Sequence, residues 1–186
     1  ETTIINGRGM RCVFLDNNAV LDGFTLTGGG VLYGMDILAS DQRSSGALGR
    51  NNATLTNCII SGNTGEYGGG AGYVTLQNCR LTNNVARYGA GAYRAALHNC
   101  YLTGNRATDS GGGSFESTVD NCLITGNHAD SFAGGAWGGT LYNCTVVSNT
   151  CNNTYAAAGV YHATLINSVC YFDNTLGAVN NHGDSS

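Results

Sequence analysis

Acidic side chains that could work as a catalytic pair are rare in this chain of 186 residues. Glu116 and Asp120 are four residues apart, and the repeat alignment described below places His98 beside Asp120. Two carboxyl groups about 5–9 Å apart could serve as acid and base, or acid and nucleophile, at a glycosidic bond. Acids on exposed strands are more often plain surface residues. Glu116, Asp120 and His98 are therefore the catalytic candidates, but the sequence favours a protein that is not an enzyme.

Cysteines form a second candidate group, and five of the eight follow an Asn at a regular spacing. These five are Cys58, Cys79, Cys100, Cys122 and Cys144. In stacked parallel strands their Cβ atoms would lie about 4.8 Å apart, which exceeds the roughly 3.5–4.5 Å of a disulfide. No Cys-x-x-Cys spacing indicates a zinc site. We therefore predict a column of small buried thiols, without a metal or cofactor. A single bridge among Cys12, Cys151 and Cys170 remains open.

Aromatic residues provide the candidate ligand surface. Tyr93, Phe115, Trp137 and Tyr161 each follow a cluster of Gly and Ala. The residue before each ring is small or apolar and should point inward, so the rings should face out; a bend in the cluster would turn them into a core stack instead. Facing out beside polar groups, they would suit a carbohydrate or peptide. The predicted ligand-binding residues are Tyr93, Phe115, Trp137, Tyr161, Tyr142 and Arg94, with His162 nearby.

The same alignment predicts two opposite-charge contacts between adjacent repeats. Arg94 should lie against Glu116, and His98 against Asp120. Each such cross-strand pair contributes under about 1 kcal/mol to stability. They could also form the rim of a sugar-binding surface.

A repeat of 21 to 24 residues must position these side chains. The pair Asn-Cys recurs at 57–58, 78–79, 99–100, 121–122 and 143–144, and Asn167-Ser168 continues the series. Apolar residues alternate with a period of two and Gly interrupts each unit, which is typical of short strands and not of helices. The sequence therefore predicts an all-β fold, a single-stranded right-handed parallel β-helix of about seven coils.

Aligned repeats also assign the remaining columns and the boundaries. Inward columns of Leu, Ile and Val form the core, and two columns of Asn mark the corners, where Asn adopts left-handed conformations and bonds to its neighbours. We predict one domain over 1–186: an N-terminal coil at 1–20, an insertion at 33–50, regular coils at 51–176 and a polar tail at 177–186.

Composition excludes several classes of partner. The net charge is −4, only 11% of residues are charged, and the eight basic residues are all Arg, so electrostatic binding of nucleic acid is not expected. The sequence contains no run of about 18 apolar residues, so no membrane-spanning helix is predicted. Substantial apolar content and low charge argue against disorder.

Two motifs carry a resemblance to a known family. A Gly-Gly-Ala-like cluster alternates with an apolar-x-x-Asn tetrapeptide, as in Gly134-Gly-Ala-Trp137 with Ile124-Thr-Gly-Asn127. This resembles the repeats of chlamydial polymorphic outer-membrane proteins and, more widely, bacterial surface and secreted β-helix proteins of the pectate-lyase-like superfamily. The tetrapeptide begins with Ile, Leu or Val here instead of Phe, and no motif matches the catalytic Lys and Arg or the calcium-binding acids of pectate lyases.

The resemblance implies an extracellular or cell-surface location in a bacterium. The expected function is a non-enzymatic rod for adhesion, display or assembly, whose partners are glycans or host-cell molecules. Two alternatives remain. The chain could be a filament subunit that joins other copies through its open β-helix ends, or a protein that binds or degrades polysaccharide. The open ends favour a piece of a longer protein over a filament.

Overall fold

The computed structural model describes residues 3–30, 44–50, 52–171 and 174–175. This part of the chain contains strands and no helix. Its strands are β1 (Thr3–Asn6), β2 (Val13–Leu15), β3 (Val20–Asp22), β4 (Phe24–Thr27), β5 (Ala47–Gly49), β6 (Thr54–Thr56), β7 (Ile59–Ser61), β8 (Ala71–Gly72), β9 (Thr75–Gln77), β10 (Arg80–Thr82), β11 (Val85–Tyr88), β12 (Ala92–Tyr93), β13 (Ala96–His98), β14 (Tyr101–Thr103), β15 (Arg106–Ser110), β16 (Ser114–Asp120), β17 (Leu123–Thr125), β18 (His128–Ala129), β19 (Ala136–Tyr142), β20 (Thr145–Val147), β21 (Thr150–Cys151), β22 (Val160–Tyr161), β23 (Thr164–Ile166), β24 (Val169–Tyr171) and β25 (Asn174–Thr175).

The strands form three parallel sheets in which each coil stacks on the one before. Sheet 1 has the order β1-β4-β7-β10-β14-β17-β20-β24, and sheet 3 has the order β11-β15-β18-β21-β25. Sheet 2 has two arms, which the seven-residue strands β16 and β19 join. Pairing follows the repeat, so Leu81 lies beside Leu102 and Leu102 beside Ile124. The predicted all-β parallel solenoid of about seven coils is confirmed.

Left-handed residues turn the chain at the corners of each coil. Asn57, Asn78, Asn99, Asn121, Asn143 and Asn167 all have φ between 49° and 55°. They connect the second arm of sheet 2 to sheet 1. Asn accepts this conformation more readily than other residues with a side chain. These Asn side chains are exposed in most coils, and the first predicted Asn column is therefore a turn column.

The second Asn column lies inside the rod and forms a buried ladder. Asn105 Nδ2 donates to the carbonyl oxygen of Leu81 at 2.9 Å and to Asn127 Oδ1 at 2.9 Å. Asn105 Oδ1 accepts from the main-chain N–H and from Nδ2 of Asn84, both at 3.0 Å. The same pattern links Asn63, Asn84, Asn105, Asn127 and Asn149. The predicted asparagine ladder is confirmed.

The apolar core runs along the rod in two parts. The main part contains the stacked Leu, Ile, Val and Cys side chains of sheets 1 and 2. A smaller part under sheet 3 stacks Ala86, Ala107, Ala129 and Cys151 with further Ala residues. Small residues there let the Gly and Ala cluster pack closely against sheet 3.

The structure describes the expected insertion at 33–50 only over residues 44–50. Residues 31–43 and the tail at 177–186 lie outside the described residues. Residues 44–50 contain β5, which pairs in register with β2 and β8. This stretch therefore takes the place in its coil that the Gly and Ala cluster takes in the later coils.

Candidate functional site

The four predicted aromatic residues form a row on the outside of the rod. The residue before each ring is buried in the core, at Ala92, Ser114, Ala136 and Val160. The residue after most of them has positive φ, as at Arg94 and Glu116, so the chain bends just past the ring. The rings therefore face away from the core. Tyr93 is covered by neighbouring rings and only 4% exposed, and the other three are partly exposed.

Stacking along this row uses the faces of its inner rings. Phe115 and Trp137 lie 4.3 Å apart with planes 7° from parallel. Tyr93 and Phe115 lie 5.4 Å apart at 17°. Offset stacking of this kind stabilises a pair by about 0.5–1.5 kcal/mol beyond burial. Tyr93 and Trp137 thus cover both faces of Phe115, whereas Trp137 has one face stacked on Phe115 and meets His162 edge to face at 6.2 Å.

A second aromatic row, which the sequence analysis missed, flanks the first. Tyr67, Tyr88 and Phe132 precede the Gly and Ala cluster of their coils. Tyr67 stacks on Tyr88 at 5.5 Å, and Tyr88 meets Phe115 edge to face at 5.4 Å. The residues recur with the 21- to 22-residue period, so a column alignment one position before each cluster could have found them.

A β-bulge aims the second row outward. The main-chain N–H groups of Arg87 and Tyr88 both donate to the carbonyl oxygen of Glu66. Two coils on, the N–H groups of Ser131 and Phe132 both donate to the carbonyl oxygen of Asp109. Bulges place an extra residue in the strand and re-aim its side chain. This extra residue breaks the alternation of period two on which the sequence analysis relied.

The two rows enclose a cleft of about 360 Å³. It is lined by Tyr88, Asp109, Ser110, Phe115, Phe132, Trp137, Tyr161 and His162. Phe132 and Tyr161 lie 5.2 Å apart, and His162 meets Tyr161 edge to face at 4.3 Å. The cleft combines aromatic walls with a carboxylate and an imidazole.

Asp109 is the acidic group of this cleft. The Ser110 hydroxyl donates to Asp109 Oδ1 at 2.9 Å, and Arg87 Nε lies 3.7 Å from Asp109 Oδ2. Burial and the hydrogen bond to Asp109 raise the pKa of the Tyr88 phenol. The carboxylate is thus held at the edge of the aromatic walls by the Ser110 hydroxyl, the Tyr88 phenol and the Arg87 guanidinium.

The acids proposed from the sequence belong to two separate contacts, one with Arg94 and one with His98. Arg94 Nε donates to Glu116 Oε2 at 2.6 Å, and this bond raises the pKa of Arg94. His98 Nδ1 lies 3.5 Å from Asp120 Oδ2. Both predicted contacts between adjacent coils are present. Neither acid lines the aromatic cleft.

Three of the six predicted ligand-binding residues, Arg94, Tyr142 and Tyr93, are not part of the cleft lining. The Arg94 guanidinium lies over the Tyr93 ring, 5.3 Å from its centroid, and lines a separate hollow of about 490 Å³ with Arg50 and Tyr73. Tyr142 pairs with Asp120 and Ile166 near the other end of β19. Trp137, Phe115 and Tyr161 line the cleft, and Tyr93 stacks against Phe115.

A chain of hydrogen bonds on sheet 3 is a further polar cluster. His128 Nδ1 lies 2.8 Å from the Thr150 hydroxyl, and His128 Nε2 lies 3.1 Å from Asp130 Oδ1. Arg106 binds both oxygens of Asp130 at 2.8 and 3.0 Å, and Asn152 also donates to it. Because the carboxylate already has three partners, the cluster is a cross-strand surface network.

The predicted cysteine column is present and buried. Each thiol donates to the carbonyl oxygen two residues earlier, as Cys100 does to His98 at 3.2 Å. The neighbouring Cys100 thiol and burial raise the pKa of Cys79 above its ordinary value. None of the eight cysteines forms a disulfide, so the bridge left open among Cys12, Cys151 and Cys170 is absent. Within the described residues, no group of three His, Cys, Asp or Glu side chains could hold a metal ion.

Three parallel sheets closed around stacked Leu and Asn columns define the class of a parallel β-helix. The chain belongs to the right-handed beta helix family, whose model, the right-handed beta helix region, matches residues 44–186. No curated protein and no solved structure matches it. No helix in the described part of the chain is long and apolar enough to cross a membrane.

Proposed function

We propose that this chain is a glycan-binding, non-enzymatic β-helical rod of a bacterial secreted or cell-surface protein, which serves in adhesion or display. The observation that carries the proposal is the aromatic cleft on the outside of the rod, with Asp109 and His162 at its edge. Sugars present C–H groups on their ring faces and hydroxyls on their edges. Aromatic walls with a polar rim match that pattern.

The bacterial surface location is supported by the repeat pattern. The Gly and Ala clusters and the apolar-x-x-Asn tetrapeptides resemble polymorphic outer-membrane proteins and related β-helix proteins of the pectate-lyase-like superfamily. Binding is favoured over catalysis because Glu116 and Asp120 are each paired with a basic side chain. A catalytic carboxyl pair needs both groups to face one bound sugar.

A glycan array followed by titration calorimetry tests this proposal. The wild-type chain is expected to bind at least one glycan, and Trp137→Ala to weaken that binding by at least tenfold because it removes a cleft wall. Tyr101→Ala is the matched control: Tyr101 is an exposed aromatic residue on sheet 1 and is not part of the cleft. It should bind within twofold of the wild type.

Circular dichroism must show that both variants keep their strands. The proposal fails if no glycan on the array binds, or if Trp137→Ala binds as tightly as the wild type.

A further inference from the structure

The cysteine column is a straight file of five thiols that make the same contact in every coil. Each Sγ donates to the carbonyl oxygen two residues earlier, at 3.1–3.3 Å. Because the side chains share this contact, successive sulfur atoms are separated by one coil step, or about 4.8 Å. Phe24 takes the equivalent position before the first Cys and Ser168 the one after the last, so the file contains five thiols.

This spacing suits an ion that binds two thiolates in a straight line. A disulfide needs its sulfur atoms in covalent contact, and zinc needs four ligands. A metal–thiolate bond is about 2.3 Å long, so two thiolates on opposite sides of one ion lie about 4.6 Å apart. Cu(I) and Ag(I) are soft monovalent ions that prefer thiolate ligands and accept linear two-coordination. The lack of a three-ligand group among the described residues therefore excludes neither ion.

The carbonyl groups that the thiols contact keep another partner when the thiols lose their protons. The carbonyl oxygen of His98, which Cys100 contacts, also accepts from the main-chain N–H of Asn78 at 3.0 Å. The other four carbonyl groups likewise have a main-chain donor; they belong to Thr56, Gln77, Asp120 and Tyr142. Replacing the thiol protons by metal ions therefore leaves none of these five carbonyl groups without a hydrogen bond, which would be costly in the interior.

A hollow of about 330 Å³ gives access to the middle of the file. Cys100 and Cys122 line it, together with the exposed turn residues Asn99 and Asn121. Cys122 is 4% exposed, more than any other thiol of the file. An ion therefore has a route to the gap between Cys100 and Cys122, from which the neighbouring gaps follow in line.

We propose that the cysteine column binds a file of Cu(I) or Ag(I) ions, one in each of the four gaps between its five thiols. On filling, five Cys–SH groups and four monovalent ions become five thiolates and four ions with a net charge of −1, and five protons are released. A single ion between two thiolates already has that charge. Because the buried charge does not grow as further ions enter, and burying charge is costly, filling is cooperative. The site is separate from the aromatic cleft and does not rest on glycan binding.

Ag(I) is the probe, because it needs no reductant to stay monovalent. The reduced, folded chain is titrated with Ag(I) and dialysed against glutathione, whose single thiol competes for ions held by one protein thiol. Native mass spectrometry should then show mainly chains with no ion or with four. X-ray absorption should show two sulfur ligands for each ion and neighbouring ions about 4.8 Å apart. A chain that retains no silver, ions clustered much closer than the coil spacing, or equal retention of Zn(II) would overturn the proposal.

Serine variants should lose ions according to their position in the file. Serine fits there, because the Ser168 hydroxyl donates to the carbonyl oxygen two residues earlier at 2.9 Å, as each thiol does; circular dichroism checks that the variants fold. Cys100→Ser removes two gaps and should retain two ions, whereas Cys58→Ser removes one gap and should retain three. Cys151→Ser removes a buried thiol outside the column and should retain all four. The same loss in all three variants would indicate binding by individual thiols and overturn the file.

Discussion

Asparagine has two different tasks in this protein, and position within the coil decides which. Asn99 is exposed, has φ of 55° and turns the chain. Asn105, six residues later, is fully buried and bonds to the coils on both sides. The first task depends on backbone conformation, and the second on a side-chain amide that both donates and accepts.

We expect a Gly substitution to separate these two tasks. Asn99→Gly should change the free energy of unfolding by less than about 1 kcal/mol, because Gly adopts positive φ without strain. Asn105→Gly should lower it by about 3 kcal/mol or more, because buried groups such as the Leu81 carbonyl lose their partner. Urea denaturation measures both. Equal losses in the two variants would contradict the assignment.

Spacing alone predicted both Asn columns, but not their difference. The first recurs every 21 to 24 residues and the second every 21 or 22, and each lies near a corner. The two columns differ in which side chain points into the rod. That direction depends on the left-handed residue between sheets 1 and 3. In successive coils this residue is Gly62, Asn83, Gly104, Gly126 or Ser148. Because this left-handed residue varies among Gly, Asn and Ser, the repeat does not show that the two Asn columns point in different directions.

In each coil, the Gly and Ala cluster determines how closely the adjacent coils approach. A Cβ added at Gly135 would lie 2.3 Å from the carbonyl oxygen of Gly159, and the same conflict recurs at Gly91 and Gly113. Gly is needed at these positions because a Cβ would clash with the carbonyl oxygen of the adjacent coil. The cluster therefore packs main chain against main chain, where the other segments pack side chains.

A pair of glycine variants tests this packing. Gly135→Ala should lower stability by about 3 kcal/mol, at the upper end of overpacking costs, because the obstacle is backbone. Gly62→Asn is the control, because Gly62 has φ of 66° and its nearest contact to an added Cβ is 3.6 Å. It should cost less than about 1 kcal/mol, since Asn tolerates this conformation. Thermal unfolding distinguishes them; an unchanged melting temperature for Gly135→Ala would contradict the argument.

The sequence predicted one wall of the candidate cleft and missed the other. Tyr93, Phe115, Trp137 and Tyr161 follow recognisable clusters, so their column was visible. The opposite row depends on the bulge in sheet 3, where a strand gains a residue. Asp109 was missed for the same reason, because its place at the cleft follows from that bulge.

For the whole molecule, few charges and many stacked contacts imply a stability that depends little on ionic strength. The pairs Arg94–Glu116, Arg106–Asp130 and Arg87–Asp109 are all partly exposed. Exposed pairs contribute about 0–1 kcal/mol each. The Asn ladder and the Leu columns are buried and unaffected by screening.

We expect the melting temperature to change by less than about 2 °C when NaCl rises from about 50 to about 500 mM, because only exposed pairs are screened. Differential scanning calorimetry at a fixed pH measures this. A fall of more than about 5 °C would show that the surface pairs, and not the stacked interior, hold the rod together.

The Asn ladder has a consequence for how such a protein can change over generations. Each rung offers the same donors and acceptors to the coil above and the coil below. An in-frame duplication of one repeat would meet matching partners on both sides, so unequal recombination could lengthen the rod without a new fold. A duplicated set of coils carrying the aromatic cleft would add a second cleft, and valency would then grow with gene length.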